Sequence, residues 1–117
     1  MIADPSFIGF GLHDAILEQI MVDWPAGSVE LRFSAVVPTR ETVIILAIGL
    51  VELRCPRRQP WGTGENMLYV NDVYLRDGSG SEAKALEIEM CSGDVIAIIA
   101  SSFSRSSNVA PGSPGGK

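Results

Sequence analysis

The chain has 117 residues, enough for one domain with its own core, and its 46% hydrophobic content is that of a globular protein. A net charge of −5 and a pI near 4.7 exclude a phosphate-tracking nucleic-acid binder, which needs Lys and Arg gathered on one face. The longest apolar run, Val43 to Val51, is far short of a helical membrane span. Asp4 and Pro5 stand where a signal peptide would place its basic stretch and apolar core, so the expected setting is cytoplasmic with Cys55 and Cys91 reduced.

Taken in chain order, residues 2–11 show no clear period and read as a loop or a short packed arm. Residues 15–24 carry Ile16, Ile20, Val22 and Trp24 at even positions, a strand pattern broken by Glu18, although Ile16, Leu17, Ile20, Met21 and Trp24 also fit helical spacing. The strand is favoured because Val29, Leu31 and Phe33 follow in strict alternation with Glu30, Arg32 and Ser34, across the turn material Pro25-Ala26-Gly27-Ser28. A four-residue loop pairs Trp24 with Val29, Val22 with Leu31 and Ile20 with Phe33, which keeps the apolar side chains on one face.

A second such loop, Pro38 to Glu41, would pair Val37 with Thr42 and set Ile44, Leu46, Ile48 and Leu50 against the preceding strand. The third strand, 42–55, is apolar on both faces through Val51, so its second side calls for a cover, supplied by the curl of the sheet or by a homodimer. Residues 55–64, with Pro56 and Pro60, interrupt the sheet. A fourth strand over about 66–75 has mixed parity at Asn71-Asp72, the mark of a bulge, and Asp77 to Ser81 is a loop.

Leu86 to Met90 and Val95 to Ile99 then flank Cys91-Ser92-Gly93-Asp94. A two-residue turn pairs Met90 with Val95, Ile88 with Ala97 and Leu86 with Ile99, leaving Glu87, Glu89, Ile96 and Ile98 on a semi-apolar second face. The expected fold is all-β: about six antiparallel strands, mostly a meander, curled into an open barrel or sandwich over residues 1–103. The Ser-, Pro- and Gly-rich residues 104–117 form a disordered tail.

Leu12-His13-Asp14-Ala15, Val22-Asp23-Trp24, residues 56–62 and residues 86–96 together resemble an uncharacterised bacterial family of small β-rich proteins. The Leu-His-Asp-Ala opening is also similar to that of predicted immunity proteins from bacterial polymorphic toxin systems. The resemblance spans residues 12–103. It implies an all-β cytoplasmic protein that binds and neutralises a toxin, and it brings no catalytic residues.

The chemistry-bearing residues support that non-catalytic expectation. His13 and Asp14 adjoin, but neighbours on a strand face opposite ways, so a dyad needs a turn between them; bonds to backbone groups where the arm meets the first strand are the expected role. Arg57, Arg58 and Trp61 form a basic–aromatic cluster on a proline-bounded loop, suited to gripping an acidic group or to capping the core. Ser92-Gly93 is a turn and not a nucleophile elbow, Gly62-Thr63-Gly64 is too short to cradle phosphate, and the single aspartates lack calcium-loop spacing.

The expected function is therefore a non-enzymatic protein-binding module without metal or cofactor. Its partner is a protein, a basic toxin in the terms of the resemblance, met through Arg57, Arg58 and Trp61 and through Glu87, Glu89, Ile96 and Ile98. The rivals are a small-ligand-binding barrel, opposed by Phe33, Leu46 and Met90 filling the interior, and a hydrolase using His13.

Overall fold

The computed structural model describes residue 8 and residues 11–35, 41–57, 69–77 and 83–109. Six strands are present: β1 (Ile16–Asp23), β2 (Ser28–Ala35), β3 (Glu41–Arg54), β4 (Val70–Asp77), β5 (Lys84–Met90) and β6 (Val95–Val109). They form one antiparallel sheet in the order β1-β2-β3-β6-β5-β4. Two three-stranded meanders are thus joined side by side through their longest members, β3 and β6. The all-β fold is as the alternation of apolar residues requires, and residues 16–23 are a strand and not a helix.

The sheet is open but curled, and its edges meet at one bridge, Ile16 to Tyr69. The amide of Asp14 donates to the Val70 carbonyl at 2.7 Å and that of Val70 to the Ala15 carbonyl at 2.8 Å. The curl encloses one core that includes Phe33, Leu31, Ile45, Leu86, Ile88 and Ile98, with Ile8 and Leu12 of the arm buried among them.

The β1–β2 turn has the expected four residues, moved one position toward the N-terminus. Asp23 pairs with Ser28, Val22 with Val29 and Ile20 with Leu31. Parity is preserved, so Ile20 and Phe33 share a face. A bulge at Glu18 then brings Leu17 opposite Phe33. The bulge expected near Asn71-Asp72 is also present, between Val70 and Asp72 in the pairing of β4 with β5.

Two further registers differ from expectation, that of β2 with β3 by three residues and that of β5 with β6 by one, and each odd shift exchanges the inward and outward faces. Ala35 pairs with Glu41 and Phe33 with Val43, so Val43, Ile45 and Ala47 face the core and Ile44, Leu46 and Ile48 face outward. A strand apolar on both sides cannot fix its own parity; the slimmer set sits inside against Phe33, and Leu46 does not fill the interior.

Glu89 pairs with Val95, Ile88 with Ile96 and Leu86 with Ile98. Residues 90–94 form a longer turn than two residues: Gly93, at φ 100°, donates to the Met90 carbonyl, and Ser92 and Asp94 turn inward. This register buries Ile96, Ile98 and Ala100 in place of Val95, Ala97 and Ile99, which removes more apolar surface from water.

The expected tail boundary at residue 103 is also corrected, because β6 continues to Val109 and pairs residues 102–109 with residues 41–48 of β3. Its serines disguise a half-buried strand: Ser102, Ser104 and Ser106 are exposed, while Phe103 and Arg105 between them turn partly inward. Residues 110–117 lie outside the described residues. At Gly49 (φ 77°) and its neighbour Ser101 the inward parity of both long strands switches together, bending the sheet.

Candidate functional site

The β1–β2 hairpin ends in the turn Trp24-Pro25-Ala26-Gly27. Gly27, at φ 66°, donates to the Trp24 carbonyl, and Asp23 Oδ1 accepts from the Ala26 amide at 3.3 Å. Alternation places Ile20 and Val22 on the inner face, but the hairpin outruns the core. Trp24 is 81% exposed, and Met21, Val22, Ile48 and Val51 are exposed as well. Isolated exposed apolar residues are ordinary; an exposed Trp beside several others makes this tip the candidate site.

Grooves flank this tip. An outer one of about 600 Å³ includes Met21, Trp24, Pro25, Glu30 and Leu46 in its lining. An inner one of about 370 Å³ lies between Val22, Trp24 and Gly27 and the second half of β3 at Leu50, Val51 and Leu53. A third cavity, of about 280 Å³, lies where Leu17 and Ile20 face Cys55, Arg57, Met90 and Asp94. It falls just below the usual size of small-molecule sites, roughly 300–1,000 Å³.

In that third cavity Asp94 is 7% and Ser92 1% exposed. The Ser92 hydroxyl donates to Asp94 Oδ2 at 3.1 Å and accepts from the Asp94 amide at 3.4 Å, so the turn is closed around a buried carboxylate. Partial desolvation pushes the Cys55 thiol up, against the pull of Arg57 and with the help of Asp94. Cys91 is raised likewise by desolvation, Asp14 and Glu89. Both thiols are held toward the protonated form, the opposite of what an activated nucleophile needs.

His13 sits at the seam where β1 and β4 meet. Its Nδ1 lies 2.5 Å from the Asn71 carbonyl, and its Nε2 lies 3.6 Å from Asp14 Oδ2. Asp14 adopts a left-handed conformation (φ 70°), which supplies the turn that brings the two side chains together. The Asn71 carbonyl first, and Asp14 second, raise the His13 pKa. The Asn71 side chain in turn donates to Glu89 Oε1 at 3.0 Å. The histidine bonds a backbone group, as expected of a clasp. Among the described residues, no group of three or more His, Cys, Asp or Glu is arranged to hold a metal ion.

Of the remaining expected contact residues, those among the described residues do not form one surface. Arg57 is exposed at the rim of the third cavity, while Arg58 and Trp61 lie outside the described residues. Glu87 and Glu89 face outward, Glu87 accepting from Arg76 Nε at 2.8 Å. Ile96 and Ile98 are buried on the opposite face, so the expected four-residue patch is split by the register of β5 and β6. Trp24 and the Ser92–Asp94 pair lie outside the contact residues expected from the sequence. The signal for the first was an aromatic residue placed at a turn before Pro25, where the core cannot reach.

No family model matches the chain, and no curated protein matches it. Its fold is similar to the crystal structure of an uncharacterized protein from Neisseria gonorrhoeae, with a TM-score of 0.61 and 14% sequence identity over 80% of this chain and 91% of that one. At that identity the likeness concerns the fold. Among the described residues, no helix is long and apolar enough to cross a membrane.

Proposed function

We propose that this chain is a non-enzymatic protein-binding module that meets its partner through the tip of the β1–β2 hairpin. The observation that carries the reading is Trp24, 81% exposed, with Met21, Val22, Ile48 and Val51 exposed too and grooves on both sides. Aromatic anchors surrounded by apolar groups dominate protein–protein contacts. The net charge of −5 favours a basic partner, and the resemblance of the Leu12-His13-Asp14-Ala15 opening to immunity proteins favours a toxin that is bound and neutralised in the cytoplasm.

The test is affinity purification of the tagged full chain from its native host, with the parent compared with Trp24→Arg. A basic protein recovered in stoichiometric amount with the parent and lost with the variant is the expected result. Equal recovery with both chains, or no recovery with either, contradicts the reading.

A further inference from the structure

We infer that the second half of β3, Leu50–Arg54, is the docking edge for an extended segment of a basic protein partner, added as a further strand beneath the β1–β2 hairpin. The inference rests on the protein-binding reading and specifies how the partner is held. β2 pairs with β3 only as far as Ile48, and the Gly27 carbonyl then accepts from the amides of Gly49 and Leu50. Beyond that point β3 pairs with β6 on one side, and among the described residues no strand lies along the other. Such an edge presents backbone donors and acceptors as a ready template for another strand.

The surroundings of this edge point to the same kind of occupant. The bulge between Leu50 and Glu52 turns Val51 out, 67% exposed, where it lines the inner groove with Val22 and Trp24. Further along, Cys55 and Arg57 enter the cavity formed with Leu17 and Ile20. Side chains of an added strand alternate, so every second one would enter these hollows.

Charge then sets the positions between. The linings of the inner groove and the cavity hold Glu52, Glu18 and Asp94 against Arg57, and Arg54 Nε already bonds Glu52 at 2.7 Å. The segment that fits is apolar at alternate residues and carries Lys or Arg between them. By contrast, the edges at β1 and β4 meet each other, through the Ile16–Tyr69 bridge and the backbone bonds between Val70 and residues 14 and 15.

The probe is a capped, fluorescent peptide of four Val-Lys repeats, titrated into the full chain. Saturable binding is expected, with slowed amide exchange within residues 51–54. A version N-methylated at alternate residues, which cannot complete the ladder, should bind roughly tenfold more weakly or worse. Val-Glu repeats should bind more weakly as well. No saturable binding, equal binding of the N-methylated peptide, equal binding of the Val-Glu peptide, or unchanged exchange at 51–54 overturns the inference. Loss of the purified partner with Trp24→Arg alongside equal binding of the N-methylated peptide leaves protein binding standing without strand addition. A methylation-sensitive edge with no partner recovered does the reverse.

Discussion

The arm end and the hairpin end of the sheet treat apolar side chains in opposite ways. At the arm end Ile8 and Leu12 are buried in the core, and Arg105 Nη1 donates to the Ile8 carbonyl at 2.9 Å. Partial desolvation lowers the Arg105 pKa while Glu41 raises it, the signature of a guanidinium drawn partly inward by the segment it holds. At the hairpin end Trp24, Val22 and Val51 remain in water beside grooves that they could have filled. Burying such side chains would stabilise the fold by about 1.5–3 kcal/mol each, so the arm end contributes this stability and the hairpin end forgoes it.

The comparison is broken most strongly by exchanging equivalent truncations. Leu12→Ala should destabilise by about 2–4 kcal/mol, whereas Trp24→Ala should stay within about 0.5 kcal/mol, both by urea unfolding. Similar losses at the two positions would erase the distinction between the ends. Next in size is the bend that separates the two halves of β3. A Cβ at Gly49 would meet Ser101, its Cβ at 2.8 Å, and the backbone there is left-handed. Gly49→Ala should cost about 1–3 kcal/mol, with Ser101→Gly in the same chain recovering the steric part and leaving the conformational part.

Ser92→Ala removes a donor from the buried Asp94 and should cost about 1–2 kcal/mol, again by urea unfolding. A neutral result would mean that the hydroxyl does not help to hold the turn closed. The smallest effect concerns the seam. Because folding raises the His13 pKa, its contribution is fully present below the ordinary value of 6.5 and lost as pH rises through the raised value. The urea midpoint of His13→Ala should lag the parent most near ~pH 5 and converge with it toward ~pH 8. A gap that does not change with pH contradicts this role.

Strand identity was legible wherever one face is polar. The alternation through Glu30, Arg32 and Ser34 fixes β2, and the parity break at Asn71-Asp72 announces the bulge of β4. Register was illegible where both faces are apolar, because Val43-Ile45-Ala47 and Ile44-Leu46-Ile48 satisfy the same pattern and only side-chain volume decides between them. The Ser92–Asp94 bond lengthens a turn that Gly93 alone suggests is tight, and that single displaced residue moves Ile96 and Ile98 from the expected contact face into the core. The hairpin site is only half legible: Trp24 before Pro25 marks an aromatic residue at a turn, but its burial depends on how far the hairpin overreaches the core, which the whole sheet sets.

The most direct test of the hairpin end as the working surface is site-specific photo-crosslinking in the native host, with benzoylphenylalanine placed at Trp24 or at Tyr74 on the far side of the sheet. One discrete adduct with a basic protein from position 24, absent from position 74, is the predicted outcome. The same products from both positions, or none from position 24, would contradict it.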